Sequence, residues 1–164
     1  MQKVNSKPIT TEMIKQLREK TNAGIMDAKR ALEESHGDMK KAEEWIKQKG
    51  MQRAEKKSGN EAKQGIIASY VHQGSQVVAM VELNCETDFV ARNEKFVTLG
   101  KEVAMQVASM KPATVVELLE QQYIRNPDTS IKDLVKETAG ILGENIVVAR
   151  FTRMAVGENA APIK

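Results

Sequence analysis

The sequence is poor in cysteine and in aromatic residues, with one Cys and six aromatic side chains among 164 residues. The single cysteine, Cys85, excludes an intrachain disulfide, which is typical of a reducing compartment. No apolar run approaches the roughly 20 residues of a membrane-spanning helix. The N-terminus also lacks the apolar segment of a secretory signal. We therefore expect a cytoplasmic protein without membrane contact, or an organelle-matrix protein if a transit segment has been removed.

Residues suited to metal binding or nucleophilic catalysis are equally scarce. His36 and His72 are the only histidines, no His or Cys pair has metal-ligand spacing, and GxSxG, HExxH and glycine-rich phosphate loops are missing. Cys85 and His72 would form a thiol–imidazole pair if they lay on neighbouring strands. Glu86 and Asp88 disfavour a thiolate, however, because they place negative charge next to Cys85. We predict no enzyme activity, no metal, no cofactor, and a buried Cys85.

The charge pattern gives little support to nucleic-acid binding. The net charge is only +3, and the most basic stretch, residues 40–63, reads as a solvated helical face. A ribosome- or RNA-associated basic protein remains an alternative. It would require clustered basic residues together with aromatic side chains on which bases stack, and few aromatics are present. A steep salt dependence of RNA binding would support that alternative.

Hydrophobic periodicity predicts an α+β protein in two parts. Three short helices, with caps at Thr10 or Thr11 and at Asp38, form a small N-terminal domain that resembles ubiquitin-associated domains. Gly50 is expected to end the third helix. A small antiparallel three-stranded sheet packed with helices follows. The predicted boundaries are a flexible N-terminus at 1–9, the three-helix domain at 10–50, a linker at 51–63 that begins as a helix, the core at 64–157 and a flexible C-terminus at 158–164.

Within the core, two strands at 66–71 and 76–83 flank a turn at 73–75. A long helix capped by Asn93 follows and stops at Lys111, before a proline. A short helix over 115–121 and a helix after Ser130, where Asp133 completes a capping box, precede a third strand at 145–154. Because strands and helices do not alternate as βαβ units, an antiparallel sheet is favoured.

The segment Thr87 to Asn93, TDFVARN, joins the second strand to the long helix and places a carboxylate beside an aromatic ring. Loops between rigid elements commonly carry functional side chains. Periodicity alone slightly favours a structural role, in which Phe89 covers the sheet and Asp88 caps the next helix. Exposing an aromatic ring is otherwise unfavourable and calls for a functional reason.

This heptapeptide resembles the signature of elongation factor Ts, the family of exchange factors for elongation factor Tu. Residues 17–27 and 142–151 resemble two further motifs of the family, in the same order. The resemblance implies that Thr87, Asp88, Phe89 and Val90 form a tip that enters the GTPase near its nucleotide. There the ring wedges between helices and disturbs the magnesium ion and the phosphate-binding loop. GDP is then released, and the factor stays bound until GTP enters.

The resemblance also implies a second contact with elongation factor Tu, through the N-terminal domain. Arg18, Ile25 and Met26 match the positions by which the family holds the nucleotide domain. Packing inside the three-helix unit is the alternative. Asn22 and Ala28 replace the Gly and Cys that are common in the family, and Asn tolerates the left-handed conformation that Gly supplies.

His72 belongs to a segment that resembles part of the second core repeat of long family members, where the histidine contacts another domain of the GTPase. This chain lacks that repeat and the coiled-coil insertion, and short members pair two chains. We therefore expect a homodimer in which one subunit supplies Asp88 and Phe89 and the other supplies His72. A solvent-exposed turn histidine is the alternative interpretation.

A helical adaptor without exchange activity is a further alternative function. Its three-helix unit would bind a ubiquitin-like or helical partner. Deletion of residues 1–50 discriminates between the two functions, because an adaptor would lose all binding while an exchange factor would keep weak activity at the tip.

Overall fold

The computed structural model describes residues 8–158. In chain order the elements are α1 (Thr11–Thr21), α2 (Ile25–Glu34), α3 (Met39–Lys57), β1 (Gln64–Val71), β2 (Val77–Cys85), α4 (Asp88–Ala91), α5 (Glu94–Met110), α6 (Val115–Glu120), β3 (Gln122–Tyr123), β4 (Asn126–Ser130), α7 (Ile131–Leu142) and β5 (Val147–Ala155). The predicted α+β class is confirmed. The ends expected to be flexible fall largely on residues 1–7 and 159–164, outside the described residues. Within residues 8–158, no helix has the length and apolar composition needed to cross a bilayer.

The three N-terminal helices enclose a small core of their own. Thr10 caps α1 by accepting a hydrogen bond from the Met13 N–H at 3.2 Å, and the Asp38 carboxylate caps α3. Asn22 ends α1 in the left-handed conformation, with φ 56°, as predicted. The fully buried side chains of this core are Leu17, Ala28, Ala31, Leu32 and Ala42. Three of the five are alanines, so two leucines supply most of the volume of this core.

Helix α3 continues beyond Gly50, so the predicted helix end at this residue is wrong. The helix runs without a break to Lys57, and residues 51–57, expected to begin a linker, are its last turns. Its first half packs in the N-terminal core, and Ala54 belongs to the core around the sheet. Gly50 lies against Gly140 of α7. A Cβ added to Gly140 would come within 2.3 Å of the Gly50 carbonyl oxygen. The missing side chain of Gly140 thus lets α7 approach the backbone of α3 at Gly50, which lies inside α3 and does not end it.

The sheet has the strand order β1–β2–β5, and both pairings are antiparallel. Alternate side chains of β2, including Val81, Leu83 and Cys85, are fully buried against α5, whose Phe96 and Val103 fill the same core. The other face of the sheet is open. Asn93 caps α5 by accepting a hydrogen bond from the Lys95 N–H at 3.0 Å. The third strand that the sequence predicts is confirmed as β5.

The segment between α5 and α7 contains a small hairpin, β3–β4, that sequence patterns did not reveal. It is held by Gln106, a fully buried side chain of α5. The Gln106 amide group donates to Gln121 Oε1 at 3.1 Å and to the Gln122 carbonyl at 3.0 Å. Its oxygen accepts from the Ile124 N–H at 3.0 Å. A buried amide with all these partners satisfied fixes the hairpin to the core.

Candidate partner-binding site

The predicted tip is a one-turn helix, α4, that follows directly on β2. The Thr87 hydroxyl caps it by accepting from the Val90 N–H at 3.4 Å, and Val90 packs against the core. Phe89 is 81% exposed. The structural alternative, in which Phe89 covers the sheet, is therefore wrong. Asn93 caps the following helix, while Asp88 lies in the first turn of α4.

The Asp88 carboxylate is already paired in the free protein. Arg92 Nη2 donates to Asp88 Oδ2 at 2.7 Å, across one turn of the chain, and both side chains are open to solvent. The spacing of four residues could have indicated this ion pair in the sequence. An exposed pair contributes little to stability, so Asp88 remains available to a partner.

Glu144, in the connection between α7 and β5, binds the backbone just before the tip. Its Oε2 accepts from the N–H groups of Glu86 at 3.1 Å and Thr87 at 3.0 Å, and its Oε1 accepts from the Thr87 hydroxyl at 2.6 Å. Glu144 was not among the predicted site residues. Its 57-residue separation from Thr87 leaves no local pattern that could have indicated this contact.

The predicted N-terminal contact lies at the start of α2. Ile25 is 57% and Met26 70% exposed, so packing inside the three-helix unit does not explain them. Arg18 is also exposed, and its Nε donates to the Ala23 carbonyl at 3.2 Å. The three predicted residues thus surround one connection, between α1 and α2. We refer to Arg18, Ile25 and Met26 as the N-terminal patch.

The α1–α2 connection is fixed to the rest of the chain. Asp27, next to Met26, receives two hydrogen bonds from the Arg53 guanidinium of α3, at 2.8 and 2.9 Å. These bonds hold the pKa of Asp27 below its usual value. An open groove continues from Asn22 to Lys95 in the first turn of α5. The groove thus joins the residue that ends α1 to the first turn of the helix that follows the tip.

His72 lies at the other end of the hairpin from the tip. Val71 pairs with Val78, while Gln64 pairs with Cys85 at the opposite end, a separation of about 23 Å along the strand. His72 is exposed, and the Tyr70 hydroxyl lies 3.2 Å from its Nδ1. Within one chain, His72 and Phe89 cannot contact the same small region of a partner.

The same geometry separates Cys85 from His72 and removes the thiol–imidazole pair considered above. Cys85 is fully buried, as predicted. Burial raises the pKa of its thiol to about 11, and the negative charge of Glu144 acts in the same direction. Across residues 8–158 there is also no group of three His, Cys, Asp or Glu side chains placed to hold a metal ion.

Comparison with known proteins identifies relatives along nearly the whole chain. Residues 86–162 match the family model described as Elongation factor TS. The chain is 41% identical to elongation factor Ts of Synechococcus elongatus, over 92% of this chain and 89% of that protein. It is 40% identical to elongation factor Ts of Carboxydothermus hydrogenoformans, over 93% and 91% of the two chains. Identity to elongation factor Ts of Nitratidesulfovibrio vulgaris is 38%, over 93% and 99%.

The alignment with the Synechococcus protein extends over 196 positions, whereas this chain has 164 residues. At least 32 positions of that relative therefore have no counterpart here. The shared part still includes all three segments that resemble family motifs. With identity near 40% over more than nine-tenths of its length, the chain belongs to the elongation factor Ts family.

Proposed function

We propose that the chain promotes GDP release from elongation factor Tu by inserting Phe89 and Asp88 near the magnesium and phosphate site of that GTPase. It binds no nucleotide itself and stays bound until GTP enters. The observation that supports this function best is the 81% exposure of Phe89 on a capped turn. A ring held in water does not stabilise the free protein, and its burial in a partner is favourable. The site of action is the compartment of translation, either the cytoplasm or an organelle matrix.

The energetics require more than the ring alone. In the GTPase, Mg²⁺ and backbone N–H groups hold the phosphates of GDP through charge-assisted contacts. A thousandfold faster release requires a barrier lower by about 4 kcal/mol. Burial of one Phe contributes about 1.5–3 kcal/mol. Asp88 must therefore contribute to lowering the barrier as well, and the chain must bind nucleotide-free elongation factor Tu more tightly than the GDP-bound form.

The N-terminal patch supplies the second contact in this proposal. Ile25 and Met26 expose apolar side chains at the first turn of a helix that Asp27 and Arg53 anchor to α3. A contact that is equally strong with and without bound nucleotide lowers KM and leaves kcat unchanged. The patch thus holds the GTPase while the tip acts on its nucleotide site.

The proposal is tested by release of fluorescent GDP from elongation factor Tu in the presence of excess unlabelled GDP. Amounts of the chain far below those of the GTPase are expected to accelerate release in proportion to their concentration. Such turnover distinguishes an exchange factor from a helical adaptor. Release at the spontaneous rate at every concentration would exclude exchange activity.

Met26→Ala is expected to raise KM about tenfold in this assay, with kcat unchanged. Loss of a buried Met side chain removes about 1.5 kcal/mol of contact that is common to all nucleotide states. Met110→Ala is the matched control, since Met110 is exposed at the far end of α5. Equal KM values for Met26→Ala and Met110→Ala would exclude the N-terminal patch as a binding surface.

The proposed active species is a homodimer. The open face of the sheet exposes apolar side chains where an antiparallel sheet normally presents polar ones; those at least two-fifths exposed are Ile67, Val71, Met80 and Met154. Such a patch favours association with a second copy. A two-fold axis through the middle of this face would bring the hairpin turn of one copy towards the tip of the other. His72 and Phe89 of different subunits could then contact one GTPase.

Light scattering is expected to give twice the monomer mass for the wild-type chain. Ile67→Asp should give a monomer, because it places a charge in the middle of a face that is dry in the dimer. Lys101→Asp, at an exposed position of α5 on the opposite side of the sheet, is a control with a larger change in charge. A monomer mass for the wild-type chain, together with full exchange activity, would reject the homodimer.

A further inference from the structure

The backbone before the tip and the connection between α7 and β5 are bound to each other in both directions. Glu144 accepts three hydrogen bonds from residues 86 and 87, as described above. In return, Glu86 Oε1 accepts from the Asn145 N–H at 2.7 Å. Hydrogen bonds to an ionised carboxylate are shorter and stronger than neutral ones. The start of the tip is thereby fixed by a reciprocal pair of carboxylates.

A third segment, the connection between α3 and β1, is joined to the same cluster. Asn145 Nδ2 donates to the Asn60 carbonyl at 2.7 Å, and Asn60 Nδ2 donates to Glu86 Oε2 at 2.9 Å. Asn145 is itself 7% exposed. Three stretches far apart in sequence therefore meet at this point and restrain one another.

The tip has one apolar anchor besides these bonds, because Ala91 is buried in the core and Val90 packs against it. Helix α4 has four residues, and such a short helix does not hold its shape alone. Phe89 does not anchor it, because the ring is in water. The Thr87 hydroxyl both caps α4 and donates to Glu144. The core contacts hold the end of α4, and Glu144 holds its start, so the orientation of Phe89 between them depends on both.

We infer that Glu144 is a positioning residue for exchange, which holds α4 so that Phe89 and Asp88 are presented in the geometry that enters the GTPase. This inference rests on the proposed function. A preorganised tip avoids the entropic cost of ordering a loop at the moment of insertion. Glu144 itself needs no contact with elongation factor Tu.

The test uses Glu144→Ala in the fluorescent-GDP assay. We expect kcat to fall about tenfold while KM stays within about twofold, because the N-terminal patch is unchanged. Glu144→Gln should recover most of kcat, since its amide oxygen still accepts from the two backbone N–H groups. The control is Glu120→Ala, at the exposed end of α6.

A double variant separates positioning from a general loss of folding. In the Phe89→Ala background, Glu144→Ala is expected to cause a much smaller fractional loss of kcat than in the wild-type chain, because only the placement of Asp88 is then left to be lost. Hydrogen exchange at the Glu86 and Thr87 amides should accelerate in Glu144→Ala, independently of any activity. If Glu144→Ala does not fold, Thr87→Val takes its place, because it only replaces the hydroxyl with a methyl group. The same fall in kcat, with KM little changed, is then expected.

The possible outcomes distinguish this inference from the proposed function. Wild-type kcat in Glu144→Ala and Thr87→Val, with slow release by Phe89→Ala, would overturn the positioning role and leave exchange activity standing. Equal fractional losses from Glu144→Ala in the wild-type and Phe89→Ala backgrounds would also overturn it. Absence of exchange activity in the wild-type chain would overturn both the proposed function and the positioning role of Glu144.

Discussion

Phe89→Ala is expected to reduce kcat for GDP release from elongation factor Tu by about 10- to 100-fold. The ring lies in water in the free protein, at 81% exposure, and in the proposed mechanism it becomes buried only when the tip enters the GTPase. Its burial is worth about 1.5–3 kcal/mol, and each 1.4 kcal/mol corresponds to about tenfold in rate. Because the contact is made during displacement of the nucleotide, the loss falls on kcat more than on KM.

A stability measurement and two further variants show whether the loss of kcat is due to the aromatic ring itself. The free energy of unfolding of Phe89→Ala should stay within about 0.5 kcal/mol of wild type, because an exposed side chain contributes little to folding. Val116→Ala, an exposed apolar residue on α6, should leave release unchanged, and Phe89→Leu should retain intermediate activity. A wild-type kcat in Phe89→Ala would show that the ring is not the inserted group.

Gly140→Ala is expected to destabilise the chain by about 1–3 kcal/mol, the usual cost of overpacking. A Cβ at this position would lie 2.3 Å from the Gly50 carbonyl oxygen and 2.6 Å from the Gly50 Cα. Backbone atoms cannot rotate away as a side-chain end can, so α3 and α7 must separate. The Lys47–Glu137 ion pair between the same two helices would be stretched as well. Urea unfolding measures the loss.

Gly50→Ala is a matched control on the other side of the same contact. Its Cβ would have no neighbour closer than 3.7 Å, and Ala favours a helix over Gly by up to about 1 kcal/mol. This variant should therefore be as stable as wild type or more stable. Equal destabilisation by the two substitutions would show that the helices do not meet in this geometry.

Much of the fold was predictable because it depends on local rules. The caps at Thr10, Asp38, Asn93 and Ser130 were predicted from residue type and spacing. Asn22 was expected to adopt a left-handed conformation, and it does. Each of these features is determined within a few residues of chain, which is the range over which sequence patterns are informative.

The features of the fold that were predicted wrongly or missed depend on contacts between segments that are distant in the sequence. Gly50 has the local character of a helix end, but packing against Gly140 keeps it inside α3. The β3–β4 hairpin has polar strands and contains Pro127, so its pattern does not indicate a sheet. Besides the pairing of its own strands, three hydrogen bonds with Gln106 on α5 fix it to the core.

The residues of the candidate site also fall into those that the sequence could indicate and those that only the folded chain reveals. Residue character alone slightly favoured a buried Phe89, since aromatic rings are usually covered; the family resemblance indicated exposure. Exposure of Ile25 and Met26 likewise followed from the resemblance rather than from periodicity. The contact of Glu144 with Thr87 was invisible, because the chain must fold before these two residues become neighbours.

The ion pair between Asp88 and Arg92 has a consequence for the first encounter with a nucleotide-loaded GTPase. A bare carboxylate would be repelled by the phosphates it is proposed to approach, whereas the pair presents a dipole. A dipole's field decays faster than that of a single charge, and beyond about 8 Å counterions screen what remains at physiological ionic strength. Repulsion between like charges is therefore expected to slow the first encounter little, so that an uncharged aromatic surface leads the approach of the tip.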